Sequence, residues 1–198
     1  MSAWRTPPVL AGRHVTLRPL EDGDADALVA TLAPLAGMFT TGVPATADDA
    51  WFDRVRQETL AGRTMAFAVL DPHGAIVGTT RYMRMAEPHR RVEIGGTLYA
   101  PWVQRTGLNT EAKRLLLAYA FDRLGCQVVQ LRTDWLNRRS RAAIERLGAK
   151  MDGVLRGHLV MADGHVRDTV VYSVIASEWP GVRSNLDALL SEHEGGAA

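Results

Sequence analysis

Three stretches carry residues whose types and spacing could do chemistry. The first is Gln104-Arg105-Thr106-Gly107-Leu108-Asn109-Thr110, a polar run with one glycine that feeds into a helix-forming series from Glu111 to Leu117. Backbone N–H groups at such a loop, with the positive end of a helix dipole behind them, make a site for an anion such as a pyrophosphate. The second is Glu93, which opens the stretch Ile94-Gly95-Gly96-Thr97-Leu98-Tyr99 and has the type of a general base, acting directly or through a water. The third is Asn137 and Ser140, three residues apart ahead of another helical series. Each has a plainer reading. Gly107 makes only a turn, since neither G-x-G-x-x-G nor G-x-x-x-x-G-K-[ST] is present. Glu93 is a surface carboxylate pairing with Arg90 or Arg91, and Asn137 is a helix N-cap with Ser140 in the first turn.

Positioning these groups takes a strand, a tight loop and a helix in succession. Ile94, Leu98 and Tyr99 suit a buried strand, and Gly95-Gly96 inside it suggests a bulge or a close backbone approach. A bulge leaves the facing of the strand's side chains open, because one extra residue flips all those beyond it. Pro101 ends the ladder, having no N–H to give. A long helix is predicted over residues 109–124, with Asn109 able to cap it and Gly125 just past its end. Upstream, residues 14–18 alternate as a strand, and residues 22–32 have helical spacing with Asp22 or Asp24 as cap. Thr46 starts a second helix, with Asp49 three residues on as a weaker capping box and Trp51, Phe52, Val55 and Thr59 facing inward. Residues 64–70 and 75–83 form a hairpin. Downstream, residues 127–133 form a strand, reached through a full helix, which is the length a parallel pairing needs. A short helix over 140–147 comes next, then strands over 154–161 and 165–175 around an Asp163-Gly164 turn. The chain reads as a single domain, residues 1–198, with a core of about 12–177, a tail helix of about 179–191 and a frayed end.

Composition narrows the function. With 46% apolar residues the chain is globular. Its 23 basic and 22 acidic residues are interspersed, which excludes a face built for nucleic acid or an anionic membrane. No apolar run approaches the ~20 residues of a membrane span, and Met1 to Pro8 has no signal-peptide core. The single cysteine cannot form an internal disulfide, so a cytoplasmic location is expected. Cys126 opens a predicted core strand and reads as a buried thiol rather than a nucleophile. The six histidines have no metal-ligand spacing, so no metal is expected.

The run from Gln104 to Asn109 resembles the [Q/R]-x-x-G-x-[G/A] signature of the GNAT acetyltransferases. The fuller pattern of Glu93-Ile-Gly, Pro101 and Thr106-Gly-Leu-Asn-Thr-Glu-Ala-Lys113 looks like the branch related to RimJ and RimL, which acetylate protein N-termini. Asn109 stands where many members have Gly or Ala, and Asn is the usual choice in this branch. The resemblance covers nearly the whole chain and implies an α/β (α+β) GNAT fold. That is a mixed, mostly antiparallel sheet of six to seven strands with a splayed central parallel pair, flanked by helices. It implies acetyl-CoA as cosubstrate, with the pyrophosphate held by the segment Gln104, Arg105, Thr106, Gly107, Leu108, Asn109 and Thr110. The pantetheine arm would lie in the splay and pair with backbone at Tyr99. Asn137 would hydrogen-bond that arm, and Arg105 and Arg141 could reach CoA phosphates. Ser140 would sit near the thioester sulfur and protonate the thiolate. Many members use a Tyr for this, but the matching position here is Ile144. Trp135 and His158 would border the amine acceptor, in a pocket built from the 34–44 loop and the late hairpin.

Amide transfer needs a neutral amine. An N-terminal amine has a pKa near ~8 and a lysine amine near ~10.4, so neutralising them at pH 7 costs roughly 1.4 and roughly 4.5 kcal/mol. The expected activity is therefore acetyl transfer from acetyl-CoA to an N-terminal α-amine by direct attack, with backbone amides near Tyr99 polarising the carbonyl. Acetylation of a small amine (an antibiotic, a polyamine or an amino acid) and a non-catalytic CoA-binding module are the alternatives. Relatives often form homodimers, to which the tail helix from Trp179 could contribute.

Overall fold

The apolar residues of the 91–99 stretch form the strand around which the sheet is laid out, β5 (Arg91–Tyr99). The structure, a computed structural model, describes residues 2–37, 42–161 and 163–195. Before β5 come β1 (Leu10–Ala11), β2 (Thr16–Pro19), α1 (Ala25–Leu32), α2 (Ala50–Leu60), β3 (Met65–Leu70) and β4 (Ile76–Ala86). After it come α3 (Gly107–Ala118), β6 (Val128–Asp134), α4 (Arg138–Arg146), β7 (Lys150–Val160), β8 (Val166–Ile175) and α5 (Trp179–Gly195). The sheet order is β1-β2-β3-β4-β5-β6-β8-β7. Every neighbouring pair is antiparallel except β5 and β6. The eight strands among the described residues exceed the expected six to seven. The addition is β1, whose two residues are too few to show alternation and which pairs with β2 through Leu10 and Ala11.

Two departures from regularity shape the centre. β5 and β6 pair at only three positions, Arg91 with Val128, Val92 with Val129 and Glu93 with Gln130. Beyond these both strands run on unpaired with each other, which is the expected splay. On its other side β5 carries a bulge: Thr79 of β4 stands opposite Leu98, but Arg81 stands opposite Gly95. Gly96 has φ +56°, a left-handed conformation that glycine adopts without steric cost. A side chain there would also overlap the Arg81 guanidinium. The bulge reverses the facing of the residues beyond it. Ile94 packs with Leu108, Leu116 and Tyr172 under α3, whereas Leu98 packs with Leu28, Leu32, Trp51 and Val55 under α1 and α2.

Helix boundaries differ from the sequence reading where two polar residues compete to cap. α2 begins at Ala50, and its cap is Asp49, whose Oδ1 accepts from the Trp51 N–H at 2.8 Å, not Thr46. α3 begins at Gly107, two residues earlier than expected. Its cap is Thr106, with extended backbone and its hydroxyl accepting from the Leu108 N–H at 3.3 Å, so Asn109 lies in the first turn. α3 closes in a π-turn, Tyr119–Arg123, and Gly125 comes after it at φ +65° as expected of a residue past the helix end. α5 runs to Gly195, so residues 192–195 are helical rather than frayed. β7 starts four residues before its expected position because a register shift at Gly153 lets the pairing continue across it.

Candidate active site

The splay opens beside Glu93, which is the last paired residue of β5 against β6 and only 4% exposed. The expected surface pairing with Arg90 or Arg91 is not what the structure shows. Glu93 points to the sheet face shared with Met83 and Gly95, and its Oε2 accepts from Arg84 Nη1 at 2.7 Å. Arg132 Nε of β6 lies 3.1 Å from the same oxygen, in an ion-pair contact without hydrogen-bond alignment. Oε1 lies on the Gly95 side, where an added Cβ would come within 3.3 Å of it. The carboxylate thus has one oxygen held by guanidinium groups and the other beside a bare stretch of strand.

At the far end of β5 the loop residues are tied down rather than floppy. Gln104 Nε2 donates to the Tyr99 carbonyl at 2.9 Å, and its Oε1 accepts from Arg139 Nη2 of α4 at 2.6 Å. Gln104 therefore braces the two walls of the splay against each other. Of the Tyr99 backbone expected to pair with the pantetheine arm, the carbonyl already accepts from this side chain. Thr106 donates to the Val103 carbonyl at 2.8 Å while capping α3. Arg105 is exposed and has φ +65°, an uncommon backbone for a branched or long side chain, and the strain is absorbed at the loop's tip. Gly107 is buried, and a Cβ there would stand 3.3 Å from the His14 ring. Leu108 and Thr110 turn inward; Leu108 joins the core and Thr110 Oγ1 accepts from Arg146 Nη2 at 3.2 Å. Neither side chain therefore faces an anion at the helix start, and the Leu108 N–H is already engaged by the Thr106 hydroxyl. Asn109 is half-buried in the first turn, whose leading N–H groups lack intrahelical partners.

On α4, Asn137 caps the helix, its Oδ1 accepting from the Ser140 N–H at 3.0 Å. The plainer reading of Asn137 therefore describes what its carbonyl oxygen does. Ser140 is half-buried on the first turn. It does not meet Glu93: Glu93 is level with Gln130, and Ser140 lies past the end of β6, beyond four residues or about 13 Å of strand. Arg141 lies with its guanidinium 4.1 Å from the centroid of the half-exposed Trp135 ring, and its Nε donates to the Tyr172 hydroxyl at 3.2 Å. His158 Nδ1 is 2.9 Å from Thr169 Oγ1. Of the 34–44 acceptor loop, residues 38–41 lie outside the described residues, as does Ala162 in the late hairpin.

The sequence reading missed several charged groups. Arg132 and Asp134 alternate along β6 on the Glu93 face, and Arg167 of β8 shares it. Asp134 is buried, accepts from the Leu136 N–H at 2.8 Å and holds His165 Nε2 at 3.0 Å. Burial holds the Arg167 pKa below its ordinary value, opposed by Asp134 and Glu93. The period-two spacing of Arg132 and Asp134 was the available signal. Lys113 of α3, buried on the other face, was missed too. Cys126 is buried just before β6, and burial pushes its thiol up to about 12, in keeping with an unreactive group.

The splayed parallel pair, the capped helix start and the buried carboxylate make one candidate site, and comparison with known proteins gives the chain a family. The chain matches the family model described as Acetyltransferase (GNAT) domain over residues 14–150, and it belongs to that family. It is an N-acetyltransferase. It is 27% identical over 175 residues, 85% of this chain and 94% of the relative, to YdaF of Bacillus subtilis (strain 168), whose name gives it a provisional role as a ribosomal N-acetyltransferase. A GCN5-related N-acetyltransferase from Brucella melitensis superposes with TM-score 0.82 at 31% identity, covering 93% of this chain and 86% of that one. RimJ from Mycobacterium smegmatis, solved in complex with CoA-disulfide, shares the fold with TM-score 0.81 at 22% identity, covering 93% and 96%. These relatives accord with the branch related to RimJ and RimL.

Proposed function

We propose that the protein transfers an acetyl group from acetyl-CoA to a primary amine, the N-terminal α-amine of a protein or peptide, within the splay between β5 and β6. The observation that carries this reading is that the β5–β6 ladder stops at Glu93 and Gln130 while both strands continue. An unpaired strand edge offers N–H and C=O groups to an extended, amide-bearing ligand such as the pantetheine arm. The start of α3, capped by Thr106, suits the pyrophosphate. Acetyl-CoA supplies the acyl group already activated as a thioester.

The chain's own residues then have distinct tasks. Glu93 takes the amine proton through Oε1, because Oε2 faces Arg84 and Arg132. Backbone amides of β5 polarise the acyl oxygen. The Ser140 hydroxyl protonates the departing thiolate, and Asn137 fixes the helix turn that carries it. Arg105 and Arg141 flank the phosphates, while Trp135 and His158 border the acceptor. Their engagement with Arg141 and Thr169 sets their orientation. The similarity to YdaF favours a protein N-terminus as acceptor. A homodimer would cover the exposed Leu155, Leu159 and Val160 on the edge strand β7, and the working compartment is the cytoplasm. Among the described residues no helix is long and apolar enough to cross a membrane.

The test is an amine panel (peptides with free N-termini, spermidine, amino acids and aminoglycosides) scored by CoA release. Turnover with peptides and none with the small amines supports the reading. Preference for a small amine moves the assignment to that class, and CoA binding without release from any amine leaves a non-catalytic module.

A further inference from the structure

The interior of α3 holds a charge that the chemistry above does not use. Lys113 is 6% exposed. Its Nζ donates to Thr97 Oγ1 at 2.6 Å and to Thr80 Oγ1 at 3.3 Å, and the two hydroxyls lie 2.8 Å apart. The charges on every adjoining element are engaged elsewhere or lie across the sheet. On α3 itself, Glu111 accepts from the backbone N–H groups of Arg13 and His14, and Arg114 pairs with Asp187 of α5. On β4, the Tyr82 hydroxyl donates to the Leu116 carbonyl, and Arg81 lies on the opposite face over the Trp51 ring. On β5, Glu93 lies on that opposite face with Arg84 and Arg132, while the buried Tyr99 hydroxyl has no partner among the described residues. Among the described residues no carboxylate pairs with Lys113, and burial lowers its pKa to about 7.

Burying an ammonium without a counter-ion costs stability, and such costs collect where a protein uses the group. The contact that Lys113 makes is specific. Thr97 comes directly after Gly96, so it sits in the bulge, where the register passes from Thr79–Leu98 to Arg81–Gly95. The same helix begins at the anion loop. One side chain therefore joins the helix that would carry the phosphates to the part of β5 whose backbone β4 leaves out of register.

We propose that Lys113 is a positioning residue for acyl transfer, anchoring the bulge through Thr97 and supplying positive potential behind the point where the acyl oxygen gathers negative charge. The inference rests on acetyl transfer taking place at the splay. It assigns Lys113 no contact with substrate; Lys113 acts through Thr97 and the strand.

Three variants test it, each studied by steady-state kinetics, calorimetric CoA binding and thermal melting. Across about pH 6 to about pH 10 the acceptor amine must lose its proton while Lys113 must keep its own, so wild type gives a bell-shaped kcat profile. Lys113→Met is expected to lower kcat about tenfold or more at neutral pH and to abolish the alkaline limb. Its CoA affinity should stay within about threefold, and its Tm at neutral pH should equal or exceed wild type, because methionine needs no hydration. Lys113→Arg keeps the charge and should retain neutral-pH activity with the alkaline limb moved to higher pH. Thr97→Val, close in shape, should lower kcat in the same sense with CoA affinity within about threefold, and should lower Tm modestly because it leaves the buried ammonium only Thr80. The proposal is overturned if Lys113→Met keeps kcat within about twofold, or if its losses in rate, CoA affinity and Tm run together as a packing defect would make them. A wild type that binds CoA but acetylates no amine overturns the acyl-transfer reading as well; one that acetylates normally beside an unaffected Lys113→Met overturns the Lys113 role alone.

Discussion

Glu93 and Lys113 are both buried against β5, on opposite faces of the sheet, and they are kept in different company. Glu93 has two guanidinium groups at its Oε2, Arg84 from β4 and Arg132 from β6. Lys113 has two threonine hydroxyls and, among the described residues, no counter-charge. Burying an ion pair costs less than burying one ion, because the partners restore part of the solvation each has lost. The Glu93 face is thus electrostatically closed by the protein, whereas the Lys113 face is left open for charge that arrives or develops later.

Substitutions that break this contrast should differ in kind as well as size. The largest effect is expected from Glu93→Gln, which keeps the shape and removes the base. In initial-rate assays kcat/KM should fall about 100-fold or more, with CoA binding by calorimetry little changed. An unchanged rate would reduce Glu93 to a structural ion-pair partner. Next comes the pH dependence of stability. Lys113 has a folded pKa of about 7, below the ~10.4 of an unfolded lysine. Between these values the unfolded chain binds more protons, so wild type should gain roughly 4.5 kcal/mol over Lys113→Met as pH rises through the window. The gain should be lost again as pH falls to 7, and urea unfolding at several pH values measures it. Arg132→Met should cost about 2 kcal/mol in the same assay, since Glu93 keeps only the half-exposed Arg84. Asn137→Ala serves as the control away from both charges. It removes the α4 cap and should cost about 1 kcal/mol, with no change in how stability depends on pH.

Much of the fold was legible because its signals are local. Gly95-Gly96 marked the bulge, Gly107 the turn into α3, and the helix between β5 and β6 their parallel pairing. The errors are local as well. Asp49 and Thr106 win their caps over Thr46 and Asn109 by where the backbone turns, which composition does not reveal. The candidate site was less legible, because its charges are assembled across strands. Glu93 was seen, but Arg84 and Arg132 come from two other strands, and no spacing within one segment brings them together. Asn137 and Ser140 were placed correctly at the start of a helix, yet the splay separates them from Glu93. Lys113 did leave a trace: its neighbours at i+3 and i+4, Leu116 and Leu117, are both core leucines. A lysine aligned with such a stripe has its stem, and here its head too, beneath the helix.

Among the described residues, three β5–β6 pairs and one further bond, from the Gln127 N–H to the Arg90 carbonyl, stitch the five strands on one side of the gap to the three on the other, with α3 bridging above. The two halves have little backbone cohesion of their own. Whatever threads the gap supplies the missing rungs, so the loaded protein should melt as one unit and the empty one should loosen first along this seam.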